Sequence, residues 1–117
     1  IAMRMNMEYK AKDPYSVLAM FYVDGVVAGF YSGSVSSTFT REAVGYENMF
    51  YISSKYRRSR LPYKMAEHMK NNLLQLGAKQ IYTSSTAGFG SRGYERLMTR
   101  FGFKAIEGNF LYYEQDI

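Results

Sequence analysis

Between Met49 and Leu76 the chain reads MFYISSKYRRSRLPYKMAEHMKNNLLQL: an apolar strand, a short loop holding three arginines, and an amphipathic helix. That order brings backbone donors and cations to one place, where a strand ends and a helix begins. The first N–H groups of a helix have no intrahelical partner, and the helix dipole adds a partial positive charge there. A phosphate suits such a place. Met65, Met69, Leu73 and Leu76 recur at spacings of four, four and three, which gives the helix one apolar face. Pro62 fits the first turn, where a missing N–H costs nothing, and Gly77 suits the position that closes the helix.

The flanking segments set the surroundings of this unit. Ser16 to Val23 reads as a strand, Asp24-Gly25 is a strong two-residue hairpin signal, and Val26 to Val35 returns as the partner strand. Gly29 and Gly33 interrupt that partner as bulge or close-approach positions. Ser36 to Gly45 is polar and reads as a loop, and Tyr46 to Ser54 is a third strand. After the helix, Lys79 to Ser85 forms the next strand, so a strand, a crossover helix and a strand imply a parallel pair. Ala87 to Arg92 (AGFGSR) is a Gly-rich loop. A short helix then runs to Arg100, with Tyr94, Leu97, Met98 and Phe101 inward, and Gly102 stops it. Lys104–Ile106 and Phe110–Gln115 are two last strands around Glu107-Gly108-Asn109. Residues 1–14 are charged and poorly patterned, a partly ordered lead-in. The whole is one mixed α/β (α+β) domain over residues 1–117.

Composition narrows the classes of function. With no Cys, the fold rests on packing without disulfides, and with one His no metal cluster of the usual types can form. No apolar run approaches the roughly 18 residues of a membrane span, no signal-peptide-like segment opens the chain, and the cytoplasm is the default compartment. The net charge of +5 favours anionic partners. Twelve Tyr and eight Met are many for this length, and such tyrosines are expected half-buried with the hydroxyl wet. His68 sits mid-helix beside Met69 and reads as a surface or boundary histidine. Ser53, Ser54, Thr83, Ser84, Ser85 and Thr86 read as strand and loop hydroxyls, with no Ser–His–acid spacing among them.

Three stretches, in this order and spacing, resemble the GCN5-related N-acetyltransferase (GNAT) family. The hairpin of Val17 to Gly33 looks like that family's second and third strands. YISSKYRRSRLPYKMAEHMKNNLLQLGAKQI looks like its acetyl-coenzyme A motif, and YERLMTRFGFKAI looks like its last helix with the signature Gly102-Phe103. The resemblance covers about three quarters of the chain. It implies an acyl-CoA N-acyltransferase fold: a mixed, mostly antiparallel sheet with a central parallel pair and flanking helices. It also implies acetyl-coenzyme A as co-substrate and an amine of a protein or small molecule as acceptor, in a monomer or homodimer. Compact forms of this kind resemble those encoded by bacteriophages.

Carried over residue by residue, the resemblance gives Ile52, Ser53 and Ser54 as the backbone that pairs with the pantetheine arm. It gives Arg57, Arg58, Ser59, Arg60 and Leu61 as the phosphate loop, and Ser91 as a further cofactor contact. The family's loop has small residues at the positions of Arg60 and Pro62. Arg60 keeps its N–H but adds bulk, while Pro62 has no donor. The amides of Arg58 to Leu61 and the guanidinium groups of Arg57, Arg58 and Arg60 remain as phosphate ligands. The chemistry needs a base that removes a proton from the attacking amine and an acid for the leaving thiolate. Glu47 is the candidate base, acting through a water. The family's tyrosine acid falls on Met98, which has no proton to give, and Tyr94, one turn earlier on the same face, is the substitute.

Two other readings stand beside this one. A catalytically inactive member of the fold, serving as a structural or interaction module, fits the two lost small residues and Met98. A nucleic-acid binder fits Tyr56 with Arg57, Arg58 and Arg60, and ranks last.

Overall fold

The structure, a computed structural model, describes residues 5–10, 15–36, 43–84, 91–106 and 110–114. The strands are β1 (Met5–Lys10), β2 (Ser16–Val23), β3 (Val26–Ser36), β4 (Val44–Ile52), β5 (Gln80–Ser84), β6 (Lys104–Ala105) and β7 (Phe110–Glu114). The helices are α1 (Leu61–Gln75) and α2 (Ser91–Thr99), and a single 3₁₀ turn covers Ser54–Tyr56. The strands form one seven-stranded sheet in the order β1-β2-β3-β4-β5-β7-β6, antiparallel throughout except for the parallel pair β4–β5.

Alternation sets the two faces of the sheet. Val17, Ala19, Phe21 and Val23 of β2 are buried, and the residues between them are half-exposed. Tyr31, Phe50, Ile52, Ile81 and Leu111 continue the buried face across β3, β4, β5 and β7. Helix α1 lies on that face through Met65, Met69 and Leu73, all fully buried, and α2 through Tyr94 and Met98. Asp24 and Gly25 both take positive φ, 51° and 81°, the pattern of a two-residue turn that matches strand twist.

The expected strands and helices lie within a residue or two of their sequence-read bounds, and one segment differs. The lead-in contains β1, whose residues pair with β2 from Met5↔Val23 to Lys10↔Leu18. Its sequence carries the period of two: Met5, Met7 and Tyr9 alternate with Asn6, Glu8 and Lys10, and they stand opposite the buried Val23, Phe21 and Ala19. Ser36, Val44 and Gly45, read as loop, extend β3 and β4. The turn expected at Glu107–Asn109, and residues 85–90 of the Gly-rich loop, lie outside the described residues.

Close approach explains Gly29. A Cβ there would sit 2.7 Å from the Tyr51 carbonyl oxygen and 2.8 Å from the Met65 sulfur. The methionine end can yield, but the backbone oxygen cannot do so without moving β4. Gly29→Ala is therefore expected to cost about 2 kcal/mol by overpacking, read as a lower urea midpoint at unchanged slope.

Beneath β3 a buried polar chain links the helix to the sheet. The Asn72 amide donates to the Tyr31 hydroxyl at 3.1 Å, and that hydroxyl lies 2.6 Å from His68 Nδ1. The Tyr31 hydroxyl has one proton and two lone pairs, so beside Asn72 it either donates to a bare His68 nitrogen or accepts from a protonated one, as the tautomer sets. Burial holds His68 below its ordinary value of 6.5. A base depressed in the fold binds more protons when unfolded, so stability is complete above pH 6.5 and declines as pH falls below it. The urea midpoint is expected to drop between about pH 7.5 and pH 5.5. In His68→Gln that step should vanish; an unchanged step would assign it to other groups.

Candidate functional site

Strands β4 and β5 pair over only three positions, Val44↔Gln80, Gly45↔Ile81 and Tyr46↔Tyr82. Beyond them each strand follows its other neighbour, β4 along β3 as far as Gly29↔Ile52 and β5 along β7 as far as Ser84↔Phe110. A bulge helps turn β4 away: Ser32 faces Met49 and Gly33 faces Glu47, leaving Asn48 as the extra residue. Such an insertion bends the strand that carries it. The result is a V-shaped gap in the middle of the sheet.

Glu47 and Thr83 are the first residues past the last β4–β5 pair, so they flank the apex of the V. Both are buried, at 9% and 2% exposure, on the helix side of the sheet. Tyr94 reaches the same place from α2, with its ring edge-on to Phe50 at 5.2 Å. The Glu47 Oε1, Thr83 Oγ1 and Tyr94 hydroxyl atoms are all shielded from solvent. Burial pushes the Tyr94 phenol well above its ordinary pKa, the Glu47 charge pushes it the same way, and the Thr83 hydroxyl acts in the opposite sense. Tyr94 therefore keeps its proton. The two candidate catalytic residues, 47 positions apart in the chain, meet at one point (94 − 47 = 47).

Met98, at the family's acid position, is fully buried and serves the core. Thr83, a strand hydroxyl by its sequence setting, belongs to this cluster. The signal for it was alternation, because it shares a face with Ile81 and so had to be a buried polar group.

The loop before α1 is held by its own hydrogen bonds. The Ser59 hydroxyl donates to the Tyr56 carbonyl at 2.6 Å and accepts from the Leu61 amide at 3.2 Å. The Ser59 amide donates to the same Tyr56 carbonyl at 3.1 Å. Two of the four amides expected to cradle phosphate are thus engaged within the loop. Arg57 turns inward and donates through Nε to the Ile52 carbonyl at 3.0 Å. The Ser53 amide donates to Ala28, and the Ser53 carbonyl accepts from Tyr56. The Ile52–Ser54 backbone, expected to meet a pantetheine arm, is already bonded at three of its groups. Ser54 opens the 3₁₀ turn, and Ser91 is the first residue of α2.

Arg58 and Arg60 are exposed. Arg57 and Arg58 line an open cleft of about 270 Å³ between the loop and α2, with Pro62 and Leu97 among its apolar lining and Arg96 on α2 and Arg100 just past its end completing it. The last two arginines lie four residues apart, in α2 and just after it, and far in sequence from the loop before α1. Among the described residues no group of three or more His, Asp or Glu is placed to hold a metal ion, and no helix is long and apolar enough to cross a membrane.

No family model and no curated protein matches the sequence. Solved structures do match the fold. An N-acetyltransferase of the GNAT family from Escherichia coli, solved with coenzyme A, aligns at a TM-score of 0.71 and 15% identity over 97% of this chain and 83% of that one. A GNAT-family acetyltransferase from Elizabethkingia anophelis, with acetyl-coenzyme A bound, aligns at 0.70 and 11% over 95% and 98%. One from Streptococcus pneumoniae aligns at 0.71 and 12% over 89% and 70%. The sheet order, the one parallel pair with its splay and the helix placement together give this chain the fold of the GCN5-related N-acetyltransferases.

Proposed function

We propose that this chain is an N-acetyltransferase that binds acetyl-coenzyme A and transfers its acetyl group to an amine of a protein or small molecule. The observation that carries this reading is the splay of β4 from β5 with Glu47, Thr83 and Tyr94 at its apex. A strand that leaves its neighbour exposes peptide groups to an extended, amide-bearing arm. The arginine-lined cleft at the outer end accounts for the phosphates of such a molecule. Coenzyme A complexes of proteins with this fold support the choice of co-substrate.

In this mechanism the amine nitrogen attacks the thioester carbonyl carbon, the carbon–sulfur bond breaks, and one proton leaves nitrogen while one reaches sulfur. Glu47 accepts the first proton, directly or through a water. Tyr94 donates a hydrogen bond to the sulfur as it gains charge, and the released thiolate takes its proton from water while Glu47 returns its own to water. The two groups are coupled in the useful sense. A proton arriving on Glu47 removes the negative charge that helps hold the Tyr94 phenol up, so Tyr94 becomes a better donor as the thiolate forms.

Isothermal titration with acetyl-coenzyme A tests the reading; no binding at about 1 mM ligand ends it. Arg58→Glu should weaken binding about tenfold or more by setting a carboxylate against phosphate. Unchanged affinity would remove the loop from the site.

A second reading has its own support. Arg57 occupies the Ile52 carbonyl, and the Ser59 and Leu61 amides are engaged. An inactive module of this fold would keep such a loop. Binding without turnover across a panel of amines would favour it.

A further inference from the structure

We propose that the sheet face turned away from the helices is a dimerisation surface that takes a second copy of this chain. Both helices pack on one side of the sheet, and among the described residues no helix lies on the other. Register puts Leu18, Met20, Phe30, Tyr46, Tyr51 and Tyr82 on that open side. Rings run along it in two rows. Tyr46 stacks on Tyr82 at 6.0 Å and Tyr82 meets Tyr112 at 5.0 Å, while Phe30 lies 5.5 Å from Tyr51. Tyr46, Met49 and Tyr51 are 43%, 54% and 40% exposed.

The size suits a second copy. Five strands about 4.8 Å apart and about six residues deep present roughly 480 Å² in projection. That is at the upper end of what monomers leave exposed. Side-chain relief brings the accessible area towards the roughly 800 Å² per partner of a standard interface.

Charge selects the occupant. None of the named side chains is charged, in a protein of net charge +5, and interface centres are depleted in charge. A nucleic acid needs Lys or Arg along the surface it touches. By register Lys10, opposite Leu18, and Lys104, opposite Tyr112, are the described cations on this face, each on an edge strand, with Glu8 and Glu114 on the same face. A small molecule needs a concave site rather than a flat one. Two copies carrying +5 each repel, unless they meet where the charge is balanced, as it is on this face between Glu8 and Glu114 and the edge cations Lys10 and Lys104. Face-to-face sheets lie about 10 Å apart, and a helix layer adds about 10 Å on each side. The arginine clefts then stand roughly 30 Å apart, well beyond the ~8 Å screening length. A two-fold axis along the Met49–Ser32–Leu18 row sets Tyr46 of one copy on Tyr51 of the other and the reverse, so the contact is isologous and closes.

Sedimentation equilibrium decides it. The wild type is expected near 27 kDa, twice 13.5 kDa, at about 100 µM protein. Tyr46→Lys and Tyr51→Lys, each at an exposed position, should raise the dissociation constant about tenfold or more with an unchanged circular dichroism spectrum. Glu95→Lys, exposed on α2, should leave the dimer intact. In the wild type itself, hydroxyl-radical labelling of Tyr46, Met49 and Tyr51 should fall as concentration rises. A 13.5 kDa particle at about 100 µM overturns the proposal, as does a dimer that neither lysine variant weakens or labelling that ignores concentration.

Discussion

Glu47→Gln is expected to lower the rate of acetyl transfer about a hundredfold, with acetyl-coenzyme A affinity unchanged within about twofold. The amide keeps the size of the carboxylate and its place at the apex but does not take a proton from the amine. The assay is thiol release from acetyl-coenzyme A with whichever amine of a panel the wild type turns over. Stability separates this role from a structural one. Glu47 is a buried carboxylate at 9% exposure, and burying a charge is costly. Neutralising it should leave the melting temperature unchanged or raise it. Tyr94→Phe should give a smaller loss, because the phenol is held protonated and contributes a hydrogen bond. The double variant should lose less than the product of the two single losses, since each group tunes the other. A Glu47→Gln protein with full activity would remove Glu47 from the chemistry, and one that melts lower would assign it to the core.

Leu73→Ala is expected to cost about 3 kcal/mol of stability, the largest effect among these core changes. Leu73 is fully buried on α1, and its Cδ2 lies 3.3 Å from where a Gly33 Cβ would stand. Helix and strand backbones are already in close approach there, so neither can move in to fill the space. A domain of this size has about 5–15 kcal/mol in all. One truncation therefore removes a large share of it, seen as a fall of roughly 10–20 °C in melting temperature. Leu73→Met conserves volume and should cost less than about 1.5 kcal/mol. If the alanine variant costs no more than the methionine variant, α1 does not pack against β3 at Gly33.

Much of this architecture was legible because its signals are local. The four-four-three spacing of Met65, Met69, Leu73 and Leu76 fixes a helix face, and three of those residues are fully buried while Leu76 is half-buried. Asp24-Gly25 fixes a hairpin because left-handed backbone is accessible to few residues. The parallel pair followed from a strand, a helix and a strand in sequence. β1 was legible by the same rule, since Met5, Met7 and Tyr9 alternate with Asn6, Glu8 and Lys10, but the charges around it hide the pattern within a polar lead-in.

At the candidate site, Glu47 and Tyr94 were each legible as a residue type at a position, and their meeting was not. It depends on Asn48 being the extra residue of a bulge and on where α2 comes to rest. Arg57 shows the same limit from the other side. A guanidinium in a basic loop suggests a phosphate ligand, yet its Nε reaches back to the Ile52 carbonyl. Thr83 and Arg96 complete their clusters only because strands and helices distant in sequence converge there.

Element order, the buried face of most elements and the strand–loop–helix unit of Met49 to Leu76 are written in the chain. Those follow from periodicity and from backbone preferences within a few residues. Three outcomes arise in the folded chain: β4 and β5 part after three pairs, Glu47, Thr83 and Tyr94 share the apex, and one face of the sheet carries aromatic rows in the open. Those outcomes depend on backbone hydrogen bonds between strands and on packing across long separations, which leave no pattern in any single stretch of chain.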